Sequence, residues 1–246
     1  MTISEMHTAF KLELDKTNSL QYPSFLPEEI DFWLNKAIRK FVRTRYSGIN
    51  AKREGFEQSQ KRIDDLRTLV REVTVPCLAG TVGVNKPNSY VLTSGFSNTV
   101  FSIDPYWLSL GEEVKISYTS TSTSTGGVTT KRVGVTDVTT DNYRSKLDDP
   151  LSDHILHYDE AKPLRLFYNN TIEFITTDDY SVIEAYLRYI KEPVAVVYGA
   201  TVLLSTDCDL ADSTHDEIIS IAVQLALEDI EQPRLQSYTQ GINTME

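Results

Sequence analysis

Two histidines in this sequence have a spacing that could bind a metal ion. His154 and His157 lie three residues apart and beside Asp153 and Asp159, so on a helix they would share one face. No third ligand stands at a fixed spacing from this pair. The sequence therefore favours histidines that face solvent or are satisfied within a core. A metal-dependent hydrolase built on the pair is the least favoured of three functional hypotheses.

A run of aspartates near the C-terminus resembles part of a calcium-binding loop. Asp207, Asp209 and Asp212 form an acidic run, but the glycine of the sharp turn and the spaced terminal glutamate of such a loop are missing. Ser213 and Thr214 each precede an acidic residue by three positions, which is typical of a helix start. Helix capping therefore explains the run better than calcium binding does.

Motifs of known catalytic sites are missing from the sequence. It contains no G-x-S-x-G elbow, no phosphate-binding loop and no H-E-x-x-H pair. Cys77 and Cys208 are far apart and outside any CxxC pair, which indicates two reduced thiols. We therefore expect no catalytic, cofactor-binding or metal-binding residues, and a protein that is not an enzyme.

Residues 1–71 are predicted to form helices that position one basic surface. Thr2 and Glu5 form a capping-box pattern before a first helix, and Pro27 suits the first turn of a second helix. The spacing i, i+3, i+4, i+7 predicts a buried face on this second helix, made of Ile30, Trp33, Leu34, Ala37, Ile38, Phe41 and Val42. Its opposite face carries four cations, Lys36, Arg39, Lys40 and Arg43. A third, heavily charged helix is predicted over 54–70.

Residues 72–193 are predicted to be rich in β-strands. Short runs that alternate between apolar and polar residues favour half-buried strands, and the two runs around Asn169-Asn170 predict a hairpin. Thr119 to Thr130, with Gly126-Gly127 at its centre, predicts a long exposed hairpin. The predicted fold class is α+β, with an inserted β-rich part that resembles a barrel or a sandwich.

The remaining part, 194–246, is predicted to contain a long helix and an extended tail. The helix begins near Ser213 and ends before Pro233, and we expect it to pack with the first helical part. Two apolar stripes run along it, so it is buried on more than one side. One stripe, Ile218, Ile221 and Leu225, is assigned to the core. The other, Ile219, Val223 and Ile230, is assigned to a neighbouring chain.

Charge is unevenly distributed along the chain, whose formal net charge is -11. Residues 36–71 hold eleven Lys and Arg against four acids, whereas the last 42 residues hold nine acids and one Arg. Such polarity suits two surfaces that meet, either within one subunit or between identical subunits. The acidic total argues against free DNA binding as the main role.

The N-terminal sequence has no basic flank and no apolar segment, and no window approaches 18 apolar residues. These features predict neither a signal peptide nor a membrane span. We therefore expect synthesis in the cytoplasm and no membrane partner.

Several stretches together resemble head-to-tail connector or tail ring proteins of tailed bacteriophages, most closely those of crAss-like phages. They are 25–37 (FLPEEIDFWLNKA), 60–69 (QKRIDDLRTL), 187–193 (LRYIKEP) and the final run from His215 to Gln236. The middle of the chain, about 76–160, does not take part in the resemblance. The resemblance implies a virion structural protein that forms a ring of twelve copies between portal and tail. It also implies that DNA passes through the ring without sequence-specific binding, and that the partners are the portal and other connector or tail ring proteins.

A ring subunit needs two different faces that fit head to tail. The predicted interface residues are Lys36, Arg39, Lys40, Arg43, Ile219, Val223, Ile230, Arg234, Leu235 and Gln236. The alternative function is a receptor-binding or glycan-binding tail module, in which the Thr-rich and Tyr-rich strands would be the active part. The sequence leaves open the subunit count, the position in the tail and whether the C-terminal tail is ordered.

Overall fold

The computed structural model describes residues 1–17, 25–47, 56, 59–79, 89–92, 105–119, 127–157, 159–168, 171–199 and 201–229. Its α+β architecture agrees with the predicted fold class. Contacts divide the chain into two units. Unit 1 is drawn from Met1–Leu69 and Pro193–Glu246, and unit 2 is Val70–Glu192.

The helices within the described residues are α1 (Ile3–Thr17), α2 (Pro27–Tyr46), α3 (Gln60–Leu66), α4 (Tyr143–Leu147) and α5 (His215–Asp229). The strands are β1 (Val70–Ala79), β2 (Ser89–Leu92), β3 (Tyr106–Thr119), β4 (Val128–Gly134), β5 (Thr136–Asp137), β6 (Leu164–Tyr168), β7 (Thr171–Ile175) and β8 (Tyr180–Lys191). Only α4 of the helices lies in unit 2.

The starts of α1 and α2 follow the predicted capping chemistry. In α1 the amide of Thr2 donates to Glu5 Oε2 at 2.8 Å, and the amide of Glu5 donates to Thr2 Oγ1 at 3.4 Å. In α2 Pro27 occupies the first turn, and Glu29 accepts a hydrogen bond from the amide of Leu26 at 2.8 Å. These side chains satisfy amides that a helix start leaves without intrahelical partners. All seven apolar residues predicted for the buried face of α2 are buried.

Helix α5 is buried on two sides, because both α1 and α2 pack against it. Every residue from Ile218 to Leu227 is buried. Even the polar Ser220 is covered, and its hydroxyl donates to Glu13 of α1 at 2.8 Å. The described helix has 15 residues and ends at Asp229, so the prediction that it continues to Pro233 falls outside the described residues. The predicted caps also differ, since the Thr214 hydroxyl donates to the carbonyl of Ala211 at 2.8 Å.

The assignment of one stripe of α5 to a neighbouring chain is corrected by this packing. Ile219 and Val223 are 1% and 0% exposed in the single chain, so their side chains are closed to a second copy. The physical reason is that α1 covers part of the helix surface that the sequence left without a partner. Ile230, the third member of the stripe, lies outside the described residues.

Unit 2 contains two sheets that share β1. Residues Val70 to Pro76 of β1 pair antiparallel with β8, and Cys77 to Ala79 pair antiparallel with β2. Among the described residues the strand order is β4-β3-β8-β1-β2-β7-β6-β5, and of these neighbouring pairs only β5–β6 is parallel. In the part of the chain that the structure describes, the two end strands do not pair, so a closed barrel is not formed.

One apolar core is shared by the two sheets of unit 2. It includes Val114 and Ile116 of β3 and Ala185 of β8 from one sheet, and Ile172 and Phe174 of β7 from the other. Alternate residues of a strand point to one face, which is why these positions are spaced by two. The strands therefore bury their apolar faces against each other, as the alternating sequence patterns require.

Both predicted hairpins have paired flanks. Strands β6 and β7 pair from Leu164 with Ile175 to Tyr168 with Thr171, as predicted. Strands β3 and β4 pair from Glu113 with Gly134 to Thr119 with Val128. The central residues of the second hairpin, 120–126, lie outside the described residues.

Because Ile219 is a core residue of the subunit, we expect Ile219→Ala to lower the free energy of unfolding by about 2–5 kcal/mol. Ile218→Ala should have an effect of similar size, since Ile218 is also fully buried. Urea denaturation of the monomer would measure both. Leu12→Ala on the exposed part of α1 is the control. A stable Ile219→Ala variant with defective self-association would contradict the core assignment.

Because His154 is buried, we expect the free energy of unfolding to depend on pH. Desolvation lowers the pKa of His154 from its ordinary 6.5, so the folded chain takes up this proton at lower pH than the unfolded chain. The free energy of unfolding should therefore fall as the pH drops through about 6.5, by at most about 1.4 kcal/mol per pH unit. Urea denaturation of wild type and His154→Asn between about pH 8 and pH 5 would measure the difference in slope. The matched control is His157→Asn, because the side chain of His157 is exposed.

Candidate interaction surface

The four predicted cations of α2 form one exposed face. Lys36, Arg39, Lys40 and Arg43 are all exposed, while the opposite face of the helix is buried. Their spacing of three and four residues places them side by side along the helix. The structure therefore brings together the first four residues of the predicted interface.

These cations line an open groove, which we call the α2 groove. Its volume is about 560 Å³, and Phe32 and Leu225 contribute its apolar surface. The other lining residues are Asn35, Lys36, Arg39, Lys40, Arg43, Thr44 and Ser47. No acidic residue is among the described residues that line it. The groove thus combines positive charge with apolar contact area.

Aromatic rings order one end of the α2 groove. Phe32 is exposed and meets the buried Trp33 edge to face, with ring centroids 5.0 Å apart. The ammonium of Lys36 lies 4.7 Å from the Trp33 centroid and 5.9 Å from that of Phe32. Cation–π contacts of this kind are worth about 0.5–1 kcal/mol at exposed sites.

Arg45, although on the same helix, points into the protein. Its Nε donates to Asp65 Oδ2 at 3.0 Å, and its guanidinium also pairs with Glu217 of α5. Arg45 is 2% exposed, so both ion pairs are largely screened from water. One cation of the basic segment and one acid of the C-terminal segment are therefore paired within the chain.

The aspartates near the C-terminus bind amino and amide groups of unit 1. Asp207 Oδ1 accepts from the amide of Ile3, the first residue of α1, at 2.7 Å. Asp209 accepts from the amide of Val194 at 3.4 Å, and Asp212 accepts from the amino group of Met1 at 2.6 Å. Asp207 thus caps a helix, but the helix is α1 and not the one that follows it in sequence.

An exposed loop of unit 1 was not predicted. The 197–206 loop, in which residue 200 is not described, is closed by two backbone hydrogen bonds between Val197 and Thr206. A 3₁₀ turn at Val202–Leu204 forms its end. Leu203 is 97% exposed and Leu204 is 66% exposed, and we call these two residues the leucine tip. An apolar run such as VLL normally indicates burial, so no sequence pattern predicts this exposed surface.

The residues considered for chemistry are not assembled into a site. His154 is buried in a stretch that is not helical, and His157 is exposed, so the two do not share a helix face. Burial raises the pKa of the Cys77 thiol to about 12 and also raises that of Cys208, which makes both poor nucleophiles. Among the described residues, no three His, Cys, Asp or Glu side chains are grouped as metal ligands would be.

Unit 2 contains an ionic cluster around the buried side chains of Arg165 and Glu112. Arg165 of β6 pairs with Glu112 of β3 and, at 2.8 Å, with Asp137 of β5. Ser109 joins the cluster by donating to Glu112 at 2.7 Å. The cluster therefore ties strands of the two sheets together.

Of the predicted interface residues, Arg234, Leu235 and Gln236, like Ile230, lie outside the described residues.

Comparison with known proteins gives one match that spans most of the chain. A family model described as phage tail ring protein 3/4 matches residues 1–235. No curated protein matches the chain at a significant level. Within the described residues, no helix has the length and the apolar content needed to cross a bilayer.

The contrast between Arg45 and Arg43 can be tested on one helix. Arg45→Met leaves Asp65 and Glu217 without their cation, so we expect it to lower the free energy of unfolding by about 3–5 kcal/mol. Arg43→Met changes an exposed side chain and should alter it by less than about 1 kcal/mol. Urea denaturation would measure both. Equal effects would contradict the structural role of Arg45.

Proposed function

The chain belongs to the phage tail ring protein 3/4 family, and we propose that it forms a ring of twelve copies in the connector between portal and tail. The observation that carries this proposal is the family match, which covers residues 1–235 and so includes both units. The ring is a structural part of the virion. Its proposed partners are further copies of itself, the portal and other connector or tail ring proteins.

Self-association is supported by the surface of unit 1. A closed ring requires a head-to-tail interface, in which two different patches of each subunit meet. The α2 groove supplies one such patch, because it is concave, partly apolar and lined by four cations. The chain as a whole is acidic, so another copy offers mostly negative surface to this groove.

The charge of the chain also supports passage of DNA through the ring. A net charge of -11 repels the phosphate backbone over distances up to about the Debye length, which is about 8–10 Å near physiological salt. A channel wall that gripped phosphates would slow the duplex. We therefore propose that DNA passes without sequence-specific binding, and that the role of the protein is structural and not catalytic.

Mass photometry and negative-stain microscopy of the purified protein test the ring. Twelve chains of 27.9 kDa give a particle of about 335 kDa with twelvefold symmetry in projection. A trimer would instead favour the receptor-binding or glycan-binding alternative. A chain that stays monomeric at every concentration would contradict the proposal.

Charge reversal in the groove tests which surface assembles the ring. Arg39→Glu with Arg43→Glu should abolish rings and change the free energy of unfolding by less than about 1 kcal/mol, because both side chains are exposed. The matched control is Arg144→Glu with Lys146→Glu, two exposed residues of α4 that give the same change in net charge. The control should still form rings. Loss of rings in both variants would show an effect of total charge and not of the groove.

A further inference from the structure

The α2 groove lies beside the point where the described part of the chain ends. Among the described lining residues, Leu225 alone comes from α5, and the others lie on α2 or directly after it. Leu225 and Asp229, the last described residue, are four positions apart and so lie on one face of α5. The chain therefore leaves α5 on the face that borders the groove.

The exit from α5 lies near the Phe32 end of the α2 groove. Arg45 in the last turn of α2 pairs with Glu217 in the first turn of α5. Leu225, about two turns further along α5, lines the groove together with Phe32, so the two helices run antiparallel. From Glu217 to Asp229 the axis of α5 rises about 18 Å. The same distance measured back along α2 from Arg45 ends in the turn that carries Phe32.

Apolar surface is exposed in the α2 groove. Phe32 is 59% exposed, and aromatic side chains gain most from being covered. A single exposed apolar residue needs no explanation, but Phe32 lines a concave site together with Leu225. The groove therefore fits a segment that brings apolar side chains to it.

The residues that follow α5 include such side chains. We call 230–235, with the sequence IEQPRL, the tail segment, which lies outside the described residues. Fully extended, these residues reach about 20 Å. The lining residues of α2 from Phe32 to Thr44 span about 18 Å along the helix. The tail segment is thus long enough to run the length of the groove and to bring Ile230 and Leu235 to it.

Position, and not charge, favours the tail segment as the occupant. Arg39 and Arg43 of the groove already interact with other groups. The tail segment holds Glu231 and Arg234, and so has no net charge. It is attached at the edge of the groove, where a short connection gives an effective concentration on the order of millimolar. A segment of another copy has to reach the same place by diffusion.

We propose that the tail segment packs in the α2 groove of its own chain, with Ile230 against Phe32 and Leu235 further along α2. Burial of the two apolar side chains offsets the entropy lost when the segment is ordered. The contact forms within one chain, so it does not depend on the ring. In a ring, the groove and its tail segment would form one patch towards the next copy, and the predicted interface residues Arg234 and Leu235 would belong to it.

Thiol labelling tests whether the tail segment is covered. The full-length chain carries Leu235→Cys, with Cys77→Ser and Cys208→Ser to remove the native thiols. Cysteine is itself a small hydrophobe, so it keeps part of the apolar contact. Adding Phe32→Ala should raise the rate of maleimide labelling about 5-fold or more. The matched control is Leu12→Ala on α1, which is also 59% exposed and should leave the rate unchanged.

A disulfide distinguishes a chain's own tail segment from that of another copy. In the same background, Leu235→Cys with Thr44→Cys should oxidise within one chain, at the 27.9 kDa of a monomer and with a yield that dilution does not change. The matched control is Leu235→Cys with Thr8→Cys on α1. Thr8 and Thr44 each donate a hydroxyl hydrogen bond to the carbonyl four residues earlier. The control should give no disulfide.

The outcomes separate this contact from the proposed ring. A labelling rate that Phe32→Ala leaves unchanged, or a failure of Thr44→Cys to form the disulfide, would overturn the docking. A disulfide that joins two chains would also overturn it, because the groove would then hold the tail segment of another copy. A wild-type monomer whose variant forms the disulfide within one chain would support the docking and overturn the ring. Every described residue that is changed is exposed or half-buried, so thermal melting should show folded chains.

Discussion

The need to cover α5 on two sides determines the organisation of unit 1. All residues from Ile218 to Leu227 are buried, and each large apolar side chain so buried stabilises the fold by about 1.5–3 kcal/mol. A lone helix cannot provide this cover, and the two helices that do, α1 and α2, come from the other end of the chain. Unit 1 is therefore built from both ends of the sequence, and Val70–Glu192 is inserted between them as a second unit with its own core.

The same arrangement uses part of the charge of the chain within the subunit. Glu217 neutralises Arg45, and Asp207 caps α1, so these acids of the C-terminal segment stabilise the fold of their own chain. Opposite charges in the two segments thus meet partly within one subunit, which was one of the two arrangements that the sequence allowed. The cations of the α2 groove lie on the exposed face of a helix whose other face is buried. A surface ion pair adds little to folding, so charge kept there is more useful for choosing a partner.

The sequence was sufficient for elements whose signals are local. Helix α2 was predicted with its start and its buried face, because proline, glutamate and a regular apolar spacing all act within the helix. Pairing of β1 with β8 joins Val70 to Ile190, and no local pattern specifies such a distant partner. The prediction that Ile219 and Val223 contact a neighbouring chain was wrong for a related reason. An apolar stripe shows that a residue is covered, but it does not show which element covers it. The leucine tip was missed because exposure of an apolar run depends on the loop that carries it.

A ring subunit must associate strongly through one pair of surfaces and weakly through all its other surfaces. If the contact were large and apolar on every side, a heterologous interface could repeat without closing and produce filaments. In this chain the net charge of -11 makes unrelated encounters between copies repulsive. In the proposed ring, the α2 groove with its four lining cations would be the patch at which this repulsion is reduced. Electrostatics would then select the direction of approach, and burial of apolar surface such as that of Phe32 would hold the subunits once they are aligned.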